Sequence, residues 1–336
     1  MKIRFWIGIF IGLLAAWFSL KDVSWAKVYV TLSQIDTLPI LGVFGCLIVT
    51  YAFRAGRWVT LLSPLKEISW KESFAINAVG FLSIHILPLR LGEFTRPYLL
   101  RTRHEISLSS GMAIVLIERL FDGFACTLGL FIGLVSISEG SMEMSGWTLG
   151  LNSLAWISFL IFVPITGFFI VVAMNRVLFL RLVSFVMSYF PDKIGKSVSG
   201  FANNFLMGLS ALPNARSFFL VSLQTLGIWG VMPLAYQCLL WSFGIDLTWT
   251  APFSIMGIAA LGIMVPGPPG FVGTFQLFVQ AALAVYGISK SVGFAYAILF
   301  YSINMIFVVL IGVMFFKTMA TPLSSFVVNL SNKSTS

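Results

Sequence analysis

Three ionisable residues stand together at Glu118-Arg119-Leu120-Phe121-Asp122, inside an apolar run from 110 to 137. On a helix, Glu118 and Asp122 share nearly one face, and Arg119 lies about 100° round from Glu118. Charges in an apolar helix are costly in lipid, so they must face protein or water, where they mark the path of a polar substrate. The competing reading is a mutually satisfied ion-pair network that fixes helix packing. A second cluster is Pro88-Leu89-Arg90-Leu91-Gly92-Glu93-Phe94-Thr95-Arg96-Pro97, followed by Arg101, Arg103 and His104. A helix restarting near Gly92 brings Glu93 and Arg96 into i, i+3 contact. The guanidinium forks of Arg90 and Arg96 match phosphate oxygens. Arg101 and Arg103 read more simply as juxtamembrane cations. The third cluster is Pro266-Gly267-Pro268-Pro269-Gly270-Phe271-Val272-Gly273-Thr274-Phe275-Gln276. It suggests a half-helix starting near Gly270, with free N–H groups aimed at an anion and uncharged donors at Thr274 and Gln276. A tight Pro/Gly hinge without a ligand competes with that reading.

The elements that must position these residues are membrane helices. The chain has 336 residues, 58% hydrophobic and only 10% charged, with a mean hydropathy of +0.97. That excludes a soluble globular domain, a disordered chain and a porin-type barrel, whose apolar residues alternate. The expected fold is an all-α polytopic integral membrane protein, a single transmembrane domain over 1–336. Its halves fall at about 1–137 and 151–320, and the length leaves no room for a separate soluble domain. Apolar runs lie at 5–20, 38–53, 74–89, 110–137, 151–173, 217–243, 251–286 and 291–316. The third ends in Leu87-Pro88-Leu89-Arg90-Leu91-Gly92, and the seventh is broken by Val265-Pro266-Gly267-Pro268-Pro269-Gly270. Both should break at membrane depth, as re-entrant hairpins or paired crossings. The stretch 175–216 suits an interfacial amphipathic helix, with Arg181, Ser184 and Ser188 as its polar stripe. Lys2 and Arg4 precede the first run as in a signal peptide, but Trp17, Phe18 and Leu20 replace a small-residue cleavage site, so an uncleaved span is expected.

The balance of 21 basic to 12 acidic residues gives +9. Placing the N-terminus in the cytoplasm puts all lysines and arginines inside except Lys21, Lys27 and Lys290 outside and Arg119 within the membrane. That asymmetry puts both termini in the cytoplasm and the 138–150 loop, with Glu139 and Glu143, outside. It accounts for the positive charge without a nucleic-acid partner. Cys46, Cys126 and Cys238 lie in apolar stretches far apart in sequence and read as small hydrophobes. The chain contains no GxxxxGK[ST] loop, no HExxH and no paired-aspartate motif, and its only histidines are His85 and His104. Nucleotide, zinc and other cofactors are therefore not expected, and no residue is assigned a catalytic role. His85 reads as a hydrogen-bonded packing residue. Gly8-x3-Gly12 and Gly129-x3-Gly133 permit close helix contacts. Two Pro/Gly-interrupted segments, one in each half, are the pattern of a transporter whose site lies between broken helices.

The segments LPLRLGEFTRPYLLRTR, IERLFDG and VPGPPGFVGTFQ, in this order among apolar runs, resemble the lysylphosphatidylglycerol synthase transmembrane family, also called flippase-like or UPF0104. The resemblance covers nearly the whole chain. It implies a multi-helix membrane fold with broken helices and a role in moving phospholipid-type molecules between leaflets of the inner membrane. By motif match it carries over Arg90, Gly92, Glu93 and Arg96, then Glu118, Arg119 and Asp122, then Gly267, Gly270 and Gly273. Many relatives have a Glu where this chain has Gln276, a departure that removes a titratable group. The soluble aminoacyl-transferase domain of two-part relatives has no counterpart here, so lysyl transfer is not expected. The expected substrate is a phosphate-bearing lipid, either a phospholipid derivative or a polyprenyl-phosphate carrier. Two other classes stay open. One is a membrane-embedded transferase acting on a lipid-linked sugar or amino acid, with Glu118 or Asp122 as general base. The other is a non-transporting partner of a lipid-biosynthesis enzyme. A homo-oligomer is compatible with each.

Overall fold

The computed structural model describes residues 2–135, 215–264 and 269–333, with isolated helical positions at 156, 160, 164, 181 and 185. The described residues are helices, turns and loops without a strand. The helices are α1 (Lys2–Leu20), α2 (Trp25–Ser33), α3 (Leu38–Leu62), α4 (Trp70–Ile86), α5 (Thr95–His104) and α6 (Leu108–Val135). After the undescribed stretch come α7 (Ala215–Ser242), α8 (Ala251–Met264), α9 (Thr274–Ala284) and α10 (Lys290–Lys333). A 3-10 segment, Pro88–Phe94, joins α4 to α5, and a short 3-10 turn, Pro269–Phe271, precedes α9. The expected loop at 138–150 lies outside the described residues. So does the 175–216 helix, apart from Arg181, Phe185 and the first turn of α7.

Among the described residues three helices are long and apolar enough to cross a membrane: Leu38–Leu62, Ala215–Ser242 and Lys290–Met319. α6 has the length too, at 28 residues, and its three charges set it apart. The two broken runs behave differently. α8 has 14 residues and α9 has 11, each too short for a hydrocarbon core of about 30 Å at about 1.5 Å per residue. They pack against each other as a hairpin, with Phe278 of α9 against Gly262 of α8. α4, with 17 residues, ends when Pro88 denies the ladder its donor.

α3 and α7 lie side by side and form the most extensive helix pair. The start of α3 and the end of α7 are clasped by the Asp36 N–H donating to the Ser242 carbonyl at 2.9 Å, and by the Ser242 hydroxyl donating to the Asp36 carbonyl. Gly42 of α3 lets the Cys238 side chain of α7 close in, and the Cys46 and Cys238 thiols interact. The sequence separation of these two cysteines therefore hid a contact. α6 packs on α8 through glycine: a Cβ on Gly133 would strike the Ser254 backbone, and Gly257 receives Leu130. On its other side α6 exposes Phe124, Leu128 and Ile132, an apolar stripe at helical spacing suited to lipid. The core is apolar and aromatic, with Tyr236 stacked on Phe300 at 4.1 Å between ring centroids.

Candidate functional site

Glu118 is fully buried, and its partners come from α3, α5 and its own turn of α6. Its Oε2 accepts the Trp58 indole N–H (2.6 Å) and Arg96 Nη1 (2.7 Å). Its Oε1 accepts Arg119 Nη2 (3.0 Å) and pairs with Arg57 Nη2 (3.2 Å). One turn on, Asp122 takes Arg57 in a two-point grip, Nη1 to Oδ1 at 2.7 Å and Nη2 to Oδ2 at 3.3 Å. The Trp229 indole N–H also donates to Asp122 Oδ1 (2.9 Å), and Arg57 Nη1 reaches Thr225 Oγ1 (3.0 Å). Among the described residues five helices meet here: α3, α4, α5, α6 and α7.

The local sequence explains how Arg96 arrives. Gly111 lets α6 close on Pro97, where a Cβ would stand 3.0 Å from Pro97 Cα, so the start of α5 lies against α6. Gly80 of α4 leaves the groove that the Arg96 side chain crosses. Nη1 then reaches Asn77 Oδ1 (3.1 Å) as well as Glu118, and the Asn77 amide is oriented by donating to the Ser73 carbonyl (2.9 Å). The guanidinium stands 4.7 Å from the Trp58 ring and 5.1 Å from Phe81, and its Nε and Nη2 find no hydrogen-bond partner among the described residues. Such rings offer electrostatic attraction but leave the N–H donors unsatisfied. Arg54 approaches the same Phe81 ring at 4.4 Å, and its buried Nε is also without a partner.

The second and third clusters meet each other. Arg90 adopts a left-handed φ of 58°, and its Nη2 donates to the Ile263 carbonyl near the end of α8. Its guanidinium lies 5.6 Å from the Phe271 ring and 3.7 Å from Glu93 Oε1. The break after α4 is therefore pinned to the break after α8. Gly92 presses on the Ser83–Ile84 backbone, where a Cβ has no room. Gly270 and Gly273 have φ of 72° and 87°, and a Cβ on either would stand 2.7 Å from Tyr301 Oη or Ala16 N respectively. Gly267 lies outside the described residues.

Several expectations need correction. Arg57, counted from sequence as a cytoplasmic loop cation, is wholly buried because α3 continues through Leu62. The helix after the first break starts at Thr95 and not near Gly92, because Arg90 turns left-handed and 88–94 winds as a 3-10 segment. Glu93 consequently pairs with Arg90, and Arg96 turns to Glu118. The second half-helix begins at Thr274 and not near Gly270, and within the turn the Gly273 N–H and the Thr274 hydroxyl are already used, with Gln276 serving as an acceptor. The Gly273 N–H donates to Gln276 Oε1 (2.7 Å), and the Thr274 hydroxyl donates to the Phe271 carbonyl (3.0 Å). Gln276→Ala should leave that buried N–H unsatisfied and cost about 1–2 kcal/mol, read as a lower unfolding midpoint in detergent. Gln276→Glu, which keeps an acceptor at this position, should not.

His85 bonds the Phe81 carbonyl one turn back (2.8 Å), as a packing residue would. Arg103 and His104 both reach Glu72 Oε1, at 2.7 and 3.2 Å, beside a surface cleft of about 540 Å3 that shares no residue with the buried network. Sequence reading missed Arg57, Trp58, Asn77, Thr225 and Trp229. Asn77 was visible as an amide in an apolar run, and Arg57 as a cation within continuing apolar periodicity. Thr225 and Trp229 carried no signal.

This geometry, with charges buried among apolar broken helices, coincides with a match to known sequences. Residues 5–312 match the family described as the lysylphosphatidylglycerol synthase TM region. The chain belongs to that family. It is an all-α integral membrane protein of the lysylphosphatidylglycerol synthase transmembrane family. It is also similar to a protein named glycosyltransferase AglD from Haloferax volcanii, at 23% identity over 331 residues, 88% of this chain and 51% of that protein. The chain thus spans about half the length of this curated relative. No solved structure matches it significantly.

Proposed function

We propose that this family member moves a phosphate-bearing lipid between the leaflets of its membrane, with the Glu118–Asp122 network as the floor of the headgroup site. The observation that carries the reading is the set of guanidinium donors at that floor left without partners among the described residues: Arg96 Nε and Nη2, Arg54 Nε, Arg57 Nε and Arg119 Nε. Buried donors are almost always satisfied, and a headgroup phosphate offers the acceptor oxygens these lack. The side chains of Arg119 and Arg90 are 37% and 36% exposed, which gives the site an open rim. A charged headgroup that exchanges water for such donors crosses the apolar core at lower cost, while its tails stay in hydrocarbon. Family membership supports a membrane-lipid role.

A leaflet-exchange assay in reconstituted vesicles, run over a panel of fluorescent phospholipids, tests the reading. Wild type should accelerate exchange of at least one phosphate-bearing lipid, and Glu118→Gln and Arg96→Ala should each slow it at least about tenfold. Equal rates for all three proteins would place the path elsewhere. The relative's name, a glycosyltransferase, raises the transferase class; a covalently altered lipid after incubation would favour it.

A further inference from the structure

The charged groups that interact at the floor and rim do not balance. Among the described residues they are the guanidinium groups of Arg54, Arg57, Arg90, Arg96 and Arg119 and the carboxylates of Glu93, Glu118 and Asp122. Five positive charges face three negative ones. Each carboxylate is already engaged: Asp122 by Arg57, Glu118 by Arg96 and Glu93 by Arg90. Arg119 shares Glu118 and Asp122 with guanidiniums that hold them more closely, at 3.0 and 3.9 Å against 2.7 Å. Arg54 makes no ion pair among the described residues: the Phe81 and Tyr51 rings stand beside it at 4.4 and 5.9 Å, and Asp122 and Glu118 act on it only from beyond ion-pair distance. The surplus is therefore borne by two particular side chains, Arg54 on α3 and Arg119 on α6.

Surplus charge is expensive where the surroundings are apolar, and each unneutralised unit is felt far more strongly than in water. A phosphodiester headgroup brings a single negative charge and leaves one guanidinium uncompensated. A zwitterionic headgroup leaves both. A phosphate monoester carries about −1.5 to −2 near neutral pH and has three terminal oxygens to share among the donors. We infer that the site is matched to a lipid whose headgroup is a phosphate monoester, a dianion, in preference to a phosphodiester lipid. This rests on the lipid-transport reading above and narrows its substrate class.

The test compares phosphatidic acid, a monoester, with phosphatidylglycerol, a diester of similar tails, both bound to the full chain in phosphatidylcholine nanodiscs. At pH 8 phosphatidic acid should bind about tenfold more tightly or better. At pH 5.5 the advantage should shrink severalfold, because the second phosphate proton returns near pH 6. His85, which interacts with Arg54, would add positive charge if protonated and so works against this loss; the other facing groups are those already named. Arg54→Gln removes half the surplus and should reduce the preference for the monoester while phosphatidylglycerol still binds. Equal affinities at both pH values overturn the inference. Inorganic phosphate displacing the lipid as well as phosphatidic acid does would make the free ion the ligand, and also overturns it. Exchange in vesicles separates the two levels. If both lipids cross equally fast and Glu118→Gln stops both, the monoester preference fails while transport stands. If neither crosses, the transport reading itself fails.

Discussion

Replacing Glu118 with alanine should destabilise the protein by about 3–5 kcal/mol, among the largest effects of any single substitution in the chain. The size follows from what is left behind. Arg57 and Arg96, both fully buried, lose a counter-ion, the half-exposed Arg119 loses its closest one, and the buried Trp58 indole loses its acceptor. Glu118→Gln keeps the shape and one acceptor oxygen and should lie between alanine and wild type. The unfolding midpoint of the purified protein in detergent reads the loss. A double variant separates fold from function. Arg96→Met added to Glu118→Ala removes the stranded cation with its former partner, so part of the stability should return. Lipid exchange should not return with it. Recovery of both would make the pair a packing device with no part in the path.

Gly80→Ala is the second, and it acts without touching a charge. A Cβ on Gly80 would overlap Arg96 Cγ and stand 2.7 Å from Cδ. Arg96 is fully buried between Trp58 and Phe81 and cannot swing aside without leaving Glu118 and Asn77. Overpacking of this kind costs about 1–3 kcal/mol, and exchange should fall as far as in Arg96→Ala. Two other glycines make the sign of the effect informative. Gly45 of α3 and Gly230 of α7 have open space where a Cβ would go. Alanine at either should be neutral or should stabilise by up to about 1 kcal/mol through helix propensity alone. A drop at Gly80 of the same size as at Gly45 or Gly230 would remove the steric argument.

Helical class, both breaks and the Glu118–Asp122 face were legible because they depend on local pattern: long apolar runs, Pro/Gly punctuation and the four-residue step between two carboxylates. What lay beyond reach depended on partners distant in the chain. Arg57 looked like a cation after an apolar run that ended at 53, yet Ala55, Trp58, Leu61 and Leu62 carry the buried face of α3 onward and take the arginine inside. Glu93 and Arg96 have the spacing of a helical pair, but the spacing means nothing in a segment wound as a 3-10 turn with Arg90 left-handed. Gln276 read as a donor for a ligand because an amide has both ends to offer; only the turn geometry shows its oxygen committed to Gly273. The Cys46–Cys238 contact and the Trp229 bond to Asp122 are products of how α7 packs, on α3 in the first case and beside α6 in the second. No residue within those helices announces them.

The order of the network's members along the chain has a bearing on how the protein is made. A helix carrying Glu118 and Asp122 enters the lipid at a penalty unless its counter-charges are already there. Arg57, Trp58, Asn77 and Arg96 all precede α6 in synthesis. When α6 emerges with its own Arg119, the two charged partners that its carboxylates take from other helices, Arg57 and Arg96, have already been made. Only Thr225 and Trp229, which are uncharged, arrive later, as α7 closes over a cluster whose carboxylates have already found their arginines. The polypeptide thus carries its own schedule for insertion: cations first, carboxylates second, neutral covering last.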